Sequence, residues 1–540
     1  MRKWFLHLAT FLISSFVQSQ TAINITTPDP AKVNRPKLVI GLVVDQMRWD
    51  YLYRYYDRYA DDGGFKRLLN KGFSCENTFV NYLPSVTACG HTAIFTGSVP
   101  AVSGITGNDW WDYKRGDALY CSGDDSAATV GSITASGQMS PRNMLVHTIG
   151  DELKIATNSR SKVFGIALKD RGAILPAGHS ANAAYWYDDK TGDWISSTYY
   201  LNVLPQWVIN INNRKVVDSC YKLGWKLLYP FETYTQSYTE KKTFEYDLSD
   251  KIGKNYGFLR IIPQGNGLTI AMAESLIENE KLGVDEDADL LTVSFSTPDY
   301  AGHTFGPNSI EEEDIFLRLD KDLGAFLDYL DNKIGKNQYL LFLTADHGGA
   351  AVPSFMKMNQ IPAGNVEVER INNELNTILA AKYKIDNLII ATANYQVYLN
   401  RDSMSKYQLS LDAVGKTCID YLLQQPGIEN AFLQKDIDKI ALPAKIKEMV
   451  RNGYYESRSG DIQLIFQPQW IEGLMHGGTT HGVYNPYDTH IPLLFYGWNI
   501  KPGKTNREIN ITDIAPTISS MLNIQMPDGN AGTAISELWK

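Results

Sequence analysis

Several segments of the chain are almost wholly apolar and end next to a polar residue. The first is Leu38–Val44, and Asp45 follows it directly. Segments of the same kind cover residues 162–168, 290–296, 338–344 and 491–496. Continuous apolar runs of this length are typical of strands buried on both faces of a parallel sheet. Between them, residues 310–330 place their apolar side chains on one face of a helix. The pattern predicts an α/β fold around a central, mostly parallel sheet.

Carboxylates and imidazoles follow three of these strands, and a further histidine lies near the C-terminus. Asp45, Asp299 and Asp346 come after the strands, and the carboxyl ends of parallel strands meet at one edge of a sheet, so these side chains are expected to converge. Three carboxylates and three imidazoles are enough ligands for two divalent ions, and this donor set suits Zn, Mn or Fe better than Ca or Mg. The predicted ligands are Asp45, Asp299, His303, Asp346, His347 and His481. The sequence therefore predicts a metallohydrolase.

The segment Pro84–Gly97 supplies a candidate nucleophile. Thr87 fits the first turn of a short helix, where unpaired backbone N–H groups and the helix dipole favour negative charge. A metal ion on the same hydroxyl would lower its pKa further. The local sequence alone favours a simpler role as a capping threonine. His91, one helical turn later, is expected to be a packed or supporting group.

These motifs, taken in chain order, resemble those of the alkaline phosphatase superfamily. The resemblance is carried by Asp45, Pro-Ser-Val-Thr87-Ala-Cys-Gly-His-Thr, Gly107-Asn108, Asp299-x-x-x-His303, Thr-Ala-Asp346-His347-Gly-Gly and Thr-His481-Gly. It is strongest to the bacterial branch with a threonine nucleophile, the phosphate-irrepressible alkaline phosphatases, and spans about residues 37–540. It implies a three-layer α/β sandwich with a central mostly parallel sheet and cap insertions.

The resemblance also assigns roles to individual residues. It implies one zinc ion held by Asp299, His303 and His481. It implies a second zinc ion held by Asp45, Asp346 and His347 and completed by Thr87. By the same resemblance, Asn108 donates a hydrogen bond to a phosphoryl oxygen, and Lys169 and Arg171 bind the phosphate.

Charge counting indicates which ester fits this site. Two divalent ions are balanced by three aspartates and a Thr87 alkoxide. Lys169 and Arg171 then add two positive charges, which match a dianionic phosphate monoester. A phosphodiester carries one negative charge fewer. Without the resemblance, the two cations would be taken for a solvated loop after a strand.

Other classes of protein share some of these motifs. A sulfatase is disfavoured because Ala88–Thr92 lacks the required proline and arginine, and a cytosolic phosphoglycerate mutase is disfavoured because it uses serine. A nucleotide pyrophosphatase or phosphodiesterase of the same superfamily is the main alternative. A degenerate, non-enzymatic binding protein would have lost ligands, whereas all six are present. A net charge of -9 disfavours nucleic-acid partners, so small-molecule monoesters are expected; the oligomeric state stays open.

The N-terminus predicts export. Residues 1–3 are Met-Arg-Lys, and an apolar run over residues 4–13 leads into small polar residues. The run is shorter than the ~20 residues that span a bilayer, so it indicates a signal peptide over residues 1–20 and no stable membrane span. A secreted or periplasmic protein is expected, with a flexible leader over 21–36 and one catalytic domain over 37–540 that carries insertions at about 180–285 and 353–475.

Cysteine usage gives one further expectation. The chain has five cysteines, which is an odd number for an exported protein. We therefore expect one or two disulfides and at least one free thiol.

Overall fold

The computed structural model of the protein describes residues 34–235, 243–473 and 478–539. Its strands are β1 (Leu38–Val44), β2 (Phe73–Phe79), β3 (Asp109–Asp112), β4 (Asp117–Tyr120), β5 (Thr129–Val130), β6 (Val163–Ala167), β7 (Ala183–Asp188), β8 (Asp193–Ser197), β9 (Asp289–Phe295), β10 (Tyr339–Thr344), β11 (Gly364–Val366), β12 (Ile389–Ala393), β13 (Gln396–Leu399), β14 (Ile428–Leu433), β15 (Ile462–Phe466), β16 (Trp470–Glu472), β17 (His490–Ile491), β18 (Leu493–Gly497) and β19 (Gly503–Asn510). Its α-helices are α1 (Tyr51–Arg54), α2 (Gly64–Lys71), α3 (Thr87–Thr96), α4 (Pro100–Ser103), α5 (Ile149–Ala156), α6 (Asp170–Ala177), α7 (Gln206–Asn213), α8 (Val216–Leu223), α9 (Gln264–Asn279), α10 (Thr297–Phe305), α11 (Ile310–Leu330), α12 (Pro353–Met358), α13 (Val368–Tyr383), α14 (Arg401–Lys406), α15 (Leu411–Leu422), α16 (Ala444–Gly453), α17 (Pro486–Thr489) and α18 (Ile514–Leu522).

The central sheet of the described chain is mixed, with a parallel middle. Its order is β17-β2-β18-β10-β1-β9-β6-β7-β8-β5, and β19 pairs with β2. β1 is parallel to both neighbours, β9 and β10, and the parallel pairing continues through β6 to β7. Antiparallel pairing begins at β18 on one side and at β8 on the other. The predicted α/β fold is confirmed, and the apolar strands occupy its buried middle.

Two groups of helices flank the sheet. On one side α3, α5, α6 and α18 pack together, and α2, α9, α10 and α11 form the other group. Every residue of β1, β9 and β10 is buried between them, which explains why these strands are apolar at consecutive positions. The helix predicted over 310–330 is α11, and the Ser309 side chain caps it by accepting from the Glu312 N–H group.

The strand predicted over residues 491–496 is divided in the structure. β17 ends at Ile491, Pro492 follows, and β18 begins at Leu493. Proline has no N–H group to give to a strand ladder, so the pairing is interrupted there. β18 also runs antiparallel to β10, a direction that the apolar pattern does not encode.

The two predicted insertions differ in character. Within 353–475, β12, β13, β15 and β14 form a separate four-stranded sheet with its own apolar core under α13 and α15. Within 180–285, β7 and β8 extend the central sheet and α9 packs on α11, so the ends of this stretch belong to the main layers. The division into one catalytic domain with insertions stays a prediction, and the predicted signal peptide lies outside the described residues.

The expectation of disulfides is wrong for this structure. All five cysteines are free thiols, and they lie on different elements: Cys75 in β2, Cys89 in α3, Cys121 after β4, Cys220 in α8 and Cys418 in α15. All but Cys220 are buried, where they pack as small apolar side chains.

The search for membrane-spanning helices gave a negative result. Among the described residues, no helix is both long enough and apolar enough to cross a bilayer.

Candidate active site

The three strand-end aspartates lie together at one edge of the sheet. Asp45 directly follows β1 and its N–H group donates to the Phe295 carbonyl at the end of β9, 3.2 Å away. Asp299 lies in the first turn of α10, which follows β9, and Asp346 lies just beyond β10. All three are almost fully buried. The convergence expected from the strand pattern is therefore observed, and it follows from β1 pairing with both β9 and β10.

Asp299, His303 and His481 form a first cluster. His303 is one turn after Asp299 on α10, and its Nε2 is 3.2 Å from Asp299 Oδ1. His481 reaches the same oxygen from the loop before α17, with its Nε2 3.5 Å away.

Asp45, Asp346 and His347 form a second cluster beside the first. His347 Nε2 lies 3.6 Å from Asp45 Oδ1 and 3.3 Å from Asp346 Oδ2. Thr87 Oγ1 is 3.4 Å from the same nitrogen. The rings of His347 and His481 stack with centroids 3.6 Å apart, so the two clusters share one pocket.

All three histidines are held in the same way. Each Nδ1 bonds a backbone carbonyl oxygen: Thr479 for His303 (2.8 Å), Gly348 for His347 (2.9 Å) and Ser85 for His481 (2.8 Å). A carbonyl only accepts, so Nδ1 carries the hydrogen, and in the neutral ring Nε2 is left as the nitrogen with a lone pair on the side of the carboxylates.

Burial supports the neutral form of two of these rings. It lowers the pKa of His347 to about 3 and also lowers the pKa of His481. For His303, burial acts in the same direction, but the Asp299 carboxylate outweighs it and the pKa is raised. Neutral imidazoles are the form that binds metal ions.

The donor set fits a pair of divalent cations. Asp45 Oδ1 and Asp346 Oδ2 are buried and have no hydrogen-bond partner among the described residues. Each cluster combines carboxylate oxygens with imidazole Nε2 atoms, the combination typical of zinc. A buried carboxylate oxygen that has no hydrogen-bond partner and faces an imidazole nitrogen is suited to a bound cation.

Lys169 lies at the centre of the site. It is 2% exposed at the start of α6, and its Nζ is 2.6 Å from Asp45 Oδ2 and 2.5 Å from Asp299 Oδ2. Thr87 Oγ1 is 3.4 Å from the same ammonium. Lys169 therefore belongs to the site and not to a solvated loop.

Arg171 and Asn108 lie on neighbouring elements. Arg171 Nη1 donates to the Tyr120 hydroxyl at 3.1 Å, and its Nε is buried with no partner among the described residues. Asn108 Oδ1 accepts from the Ala88 N–H group at 3.0 Å, which places its side chain beside the residue after Thr87.

Thr87 is the first residue of α3, as the sequence predicts, and is 1% exposed. The helix lies against the second cluster, because a Cβ on Gly90 would come 2.4 Å from the Asp346 carbonyl oxygen. Only glycine allows this close approach.

His91 supports this arrangement. Its Nδ1 is 2.9 Å from the Thr87 carbonyl and its Nε2 is 2.8 Å from Ser294 Oγ. His91 also lies within reach of Asp45 and Asp346 as a possible metal trio. Both of its ring nitrogens already have partners, so His91 is better described as a supporting group.

Two contacting residues were not identified from sequence. Gln46 donates to Asp299 across 253 positions, and Tyr120 contacts Arg171 across 51 positions. Such separations carry no local pattern; the only available signal for Gln46 is that it adjoins Asp45.

Comparison with known proteins gives consistent relatives over nearly the whole chain. A family model described as type I phosphodiesterase / nucleotide pyrophosphatase matches residues 39–488. A Myroides odoratus protein named calcium-transporting ATPase is 50% identical, over 94% of this chain and 95% of its own length. Alkaline phosphatase PhoV of Synechococcus elongatus is 48% identical over 95% and 94% of the two chains. Alkaline phosphatase PafA of Elizabethkingia meningoseptica is 47% identical over 94% and 95%. The crystal structure of wild-type PafA matches with a TM-score of 0.91 and 47% identity, covering 94% of this chain and 100% of that chain.

Proposed function

The chain belongs to the type I phosphodiesterase and nucleotide pyrophosphatase family within the alkaline phosphatase superfamily, and from this premise we propose that it is an exported, two-zinc alkaline phosphatase. It hydrolyses phosphate monoesters to an alcohol and inorganic phosphate through a phosphothreonine at Thr87. The relatives PhoV and PafA, both named alkaline phosphatases, support the activity.

One observation carries the choice of a monoester. The Lys169 ammonium is buried between Asp45 and Asp299, 3.4 Å from the hydroxyl of the proposed nucleophile. A cation in this place faces the non-bridging oxygens of a phosphoryl group attached to Thr87. Arg171, two residues later, adds a fork of donors that suits two oxygens at once. The pair matches two negative charges, which a monoester has and a diester lacks.

The two clusters are the proposed metal sites. The first cluster would hold one zinc ion, and the second cluster together with Thr87 would hold the other. The two ions would lower the pKa of the Thr87 hydroxyl and offset the charge of the phosphoryl oxygens.

In the proposed reaction, each residue of the site has its own role. Thr87 Oγ attacks phosphorus in line with the departing alcohol, and water then attacks the phosphothreonine from the vacated side, releasing phosphate and restoring the hydroxyl. Lys169, Arg171 and Asn108 hold the non-bridging oxygens while the charge moves through the transition state. Asn108 presents its Nδ2 donors because its Oδ1 is engaged by the Ala88 N–H group.

The remaining parts of the proposal rest on the chain's chemistry. Imidazole and carboxylate ligands in sets of three favour zinc over calcium or magnesium. Export rests on the basic and apolar N-terminal residues. A nucleotide phosphodiesterase is the second candidate, because the matching family model carries that description.

A double substitution distinguishes the two candidates. Lys169→Ala with Arg171→Ala should lower kcat/KM for a phosphate monoester by several powers of ten, since each charge-assisted contact to the transition state contributes about 2–4 kcal/mol. A diester should lose far less, so the preference should move toward diesters.

The control removes the same charge elsewhere. Arg370→Ala with Lys416→Ala, both on exposed helices of the 353–475 stretch, should leave both reactions unchanged. Equal losses for monoester and diester in the test variant would mean that the basic pair is structural and would remove the argument for a monoesterase.

A further inference from the structure

We propose that Gln46 is a positioning residue that orients Asp299 for the first cluster and ties the two clusters together. The inference rests on the proposed function only in that the clusters bind metal ions. Gln46 is 3% exposed and stands directly after Asp45. Its side-chain Nε2 donates to Asp299 Oδ1 at 2.7 Å, and its backbone N–H group donates to Asp346 Oδ1 at 3.2 Å. One residue therefore adjoins all three aspartates.

The backbone of Gln46 has a conformation that glycine adopts without strain, so glycine is a suitable replacement for removing the side chain alone. Its φ is 64°, in the left-handed region that glycine adopts without strain. A turn alone would be served better by glycine. Strain of this kind persists where the surrounding structure holds it, and it concentrates at functional sites.

The surroundings leave room for this one side chain. A Cβ on Gly302 would come 2.0 Å from Gln46 Oε1, and a Cβ on Gly349 would come 2.8 Å from it. Gly302 precedes His303, and Gly349 follows His347 by two positions. The segments that carry His303 and His347 therefore each have a glycine at the position that contacts the Gln46 amide.

The hydrogen bond from Gln46 is made to Asp299 Oδ1, the carboxylate oxygen that faces the two histidines of the first cluster. Asp299 Oδ1 is the atom that His303 Nε2 and His481 Nε2 approach, at 3.2 and 3.5 Å. The amide N–H fixes the rotation of this carboxylate and leaves Oδ2 directed at Lys169. Hydrogen bonds to ligating carboxylates commonly change metal affinity by about 10–100-fold.

The two aspartates depend on different parts of Gln46, which makes the proposal specific. Asp299 is bound by the side chain, but Asp346 is bound by the backbone, and the His347 N–H group also donates to it at 3.0 Å. Replacing the Gln46 side chain should therefore lower the metal affinity of the first cluster and leave that of the second cluster unchanged.

The test is competition between a chelator and the protein, read as metal bound per chain. In Gln46→Gly, we expect the apparent affinity of one of two zinc ions to fall about 10–100-fold while the other is unchanged. The thermal midpoint of the metal-free Gly variant checks that it is folded, because relief of the strain at φ 64° offsets part of the cost of the lost Gln46–Asp299 hydrogen bond.

Matched controls are available in the chain. Gln360 and Gln408 also have positive φ values, 61° and 53°, and both are exposed. Gln360→Gly and Gln408→Gly should keep wild-type metal binding. Wild-type affinity for both ions in Gln46→Gly would overturn the proposal, as would equal weakening of both. Wild-type protein that binds no metal would instead overturn the metal centre and the proposed function, a result visible before any variant is made.

Discussion

At the scale of single residues, the site depends on side chains whose other polar atoms are already engaged. The Nδ1 atoms of His303, His347 and His481 are all taken by backbone carbonyls, and this turns each Nε2 toward the carboxylates. Asn108 is oriented in the same manner through its Oδ1. The ligands are thus held in a metal-binding orientation by the fold itself.

Thr87 is the residue on which the proposed covalent step depends. Thr87→Ala should lower the turnover of a phosphate monoester by several powers of ten while zinc content stays the same, since the nucleophile is lost and the other ligands remain. Thr87→Ser should keep much of the activity because it keeps the hydroxyl. Steady-state kinetics with metal analysis measures both.

Thr92 provides the control for that experiment. It lies on the same helix, is 1% exposed, and its hydroxyl has no hydrogen-bond partner among the described residues. Thr92→Ala should retain activity. If Thr87→Ala turned over at the wild-type rate, water or another side chain would be the nucleophile.

The positions of the proposed metal ligands could be predicted from the sequence for some residues but not for others. Asp45, Asp299 and Asp346 could be placed because each follows an apolar strand, and neighbouring parallel strands bring such positions together. His481 was proposed as a ligand for its residue type, but it lies on a loop with no such strand, so the strand pattern gave no reason to place it beside Asp299. Gln46 could not be predicted as a contact, because a side-chain hydrogen bond to Asp299 leaves no periodic trace.

At the scale of elements, the hairpin of β3 and β4 positions two of the proposed phosphate-binding residues. Asn108 immediately precedes β3, and Tyr120 ends β4. The Cys121 N–H group donates to the Asn108 carbonyl at 2.8 Å and closes the base of the hairpin. The Tyr120 hydroxyl accepts from Arg171 and donates to the Asp170 carboxylate. Asn108 and Arg171 are therefore held by one element.

Removing the Tyr120 hydroxyl should weaken this arrangement through Arg171. Tyr120→Phe should lower kcat/KM for a monoester about tenfold, because a hydrogen bond to a charged group contributes about 1.5–3 kcal/mol. In an Arg171→Ala background the same change should have almost no effect. Tyr113→Phe, which removes a hydroxyl bonded to Leu399 and Asp461, is the control. Additive losses in the double variant would show that Tyr120 acts independently of Arg171.

Strands and helices were predicted to within one or two residues where the pattern was long, as for β1 and α11. Direction was not predictable: β18 is as apolar as β10 but antiparallel to it, and its break at Pro492 was overlooked. The separate sheet within 353–475 could not be predicted either, because it pairs strands that are far apart in sequence.

At the scale of the whole molecule, residues 225–234, which lie between α8 and α9, are bonded to the helix layers through one carboxylate. Asp314 of α11 is fully buried and accepts from Trp225 Nε1, the Leu228 N–H group, the Tyr234 hydroxyl and Arg318 Nε. Three of these donors, Trp225, Leu228 and Tyr234, come from the stretch and hold it against α11, which packs on α10 with its two residues of the first cluster.

Loss of that carboxylate should loosen the stretch. Asp314→Ala leaves buried donors without an acceptor, so stability should fall by about 3–5 kcal/mol and proteases should cut between residues 224 and 235. Asp328→Ala on the same helix removes a carboxylate that is 70% exposed and should change neither readout. A protease-resistant Asp314→Ala protein with the wild-type thermal midpoint would contradict this account.

The overall charge of the protein does not favour an anionic substrate. The chain carries -9 formal charges, so a phosphate ester must be attracted by Lys169, Arg171 and the metal centres and not by the field of the molecule. Binding of substrate should therefore depend on those local groups and on bound metal.

The most direct measurement compares p-nitrophenyl phosphate with bis-p-nitrophenyl phosphate on protein whose metal content has been determined. The account predicts about two zinc ions per chain, a kcat/KM for the monoester that exceeds that for the diester by several powers of ten, loss of both activities on chelation, and recovery with zinc. Preference for the diester would contradict the monoesterase assignment and leave the nucleotide phosphodiesterase in its place. Full activity in metal-free protein would contradict the central claim itself.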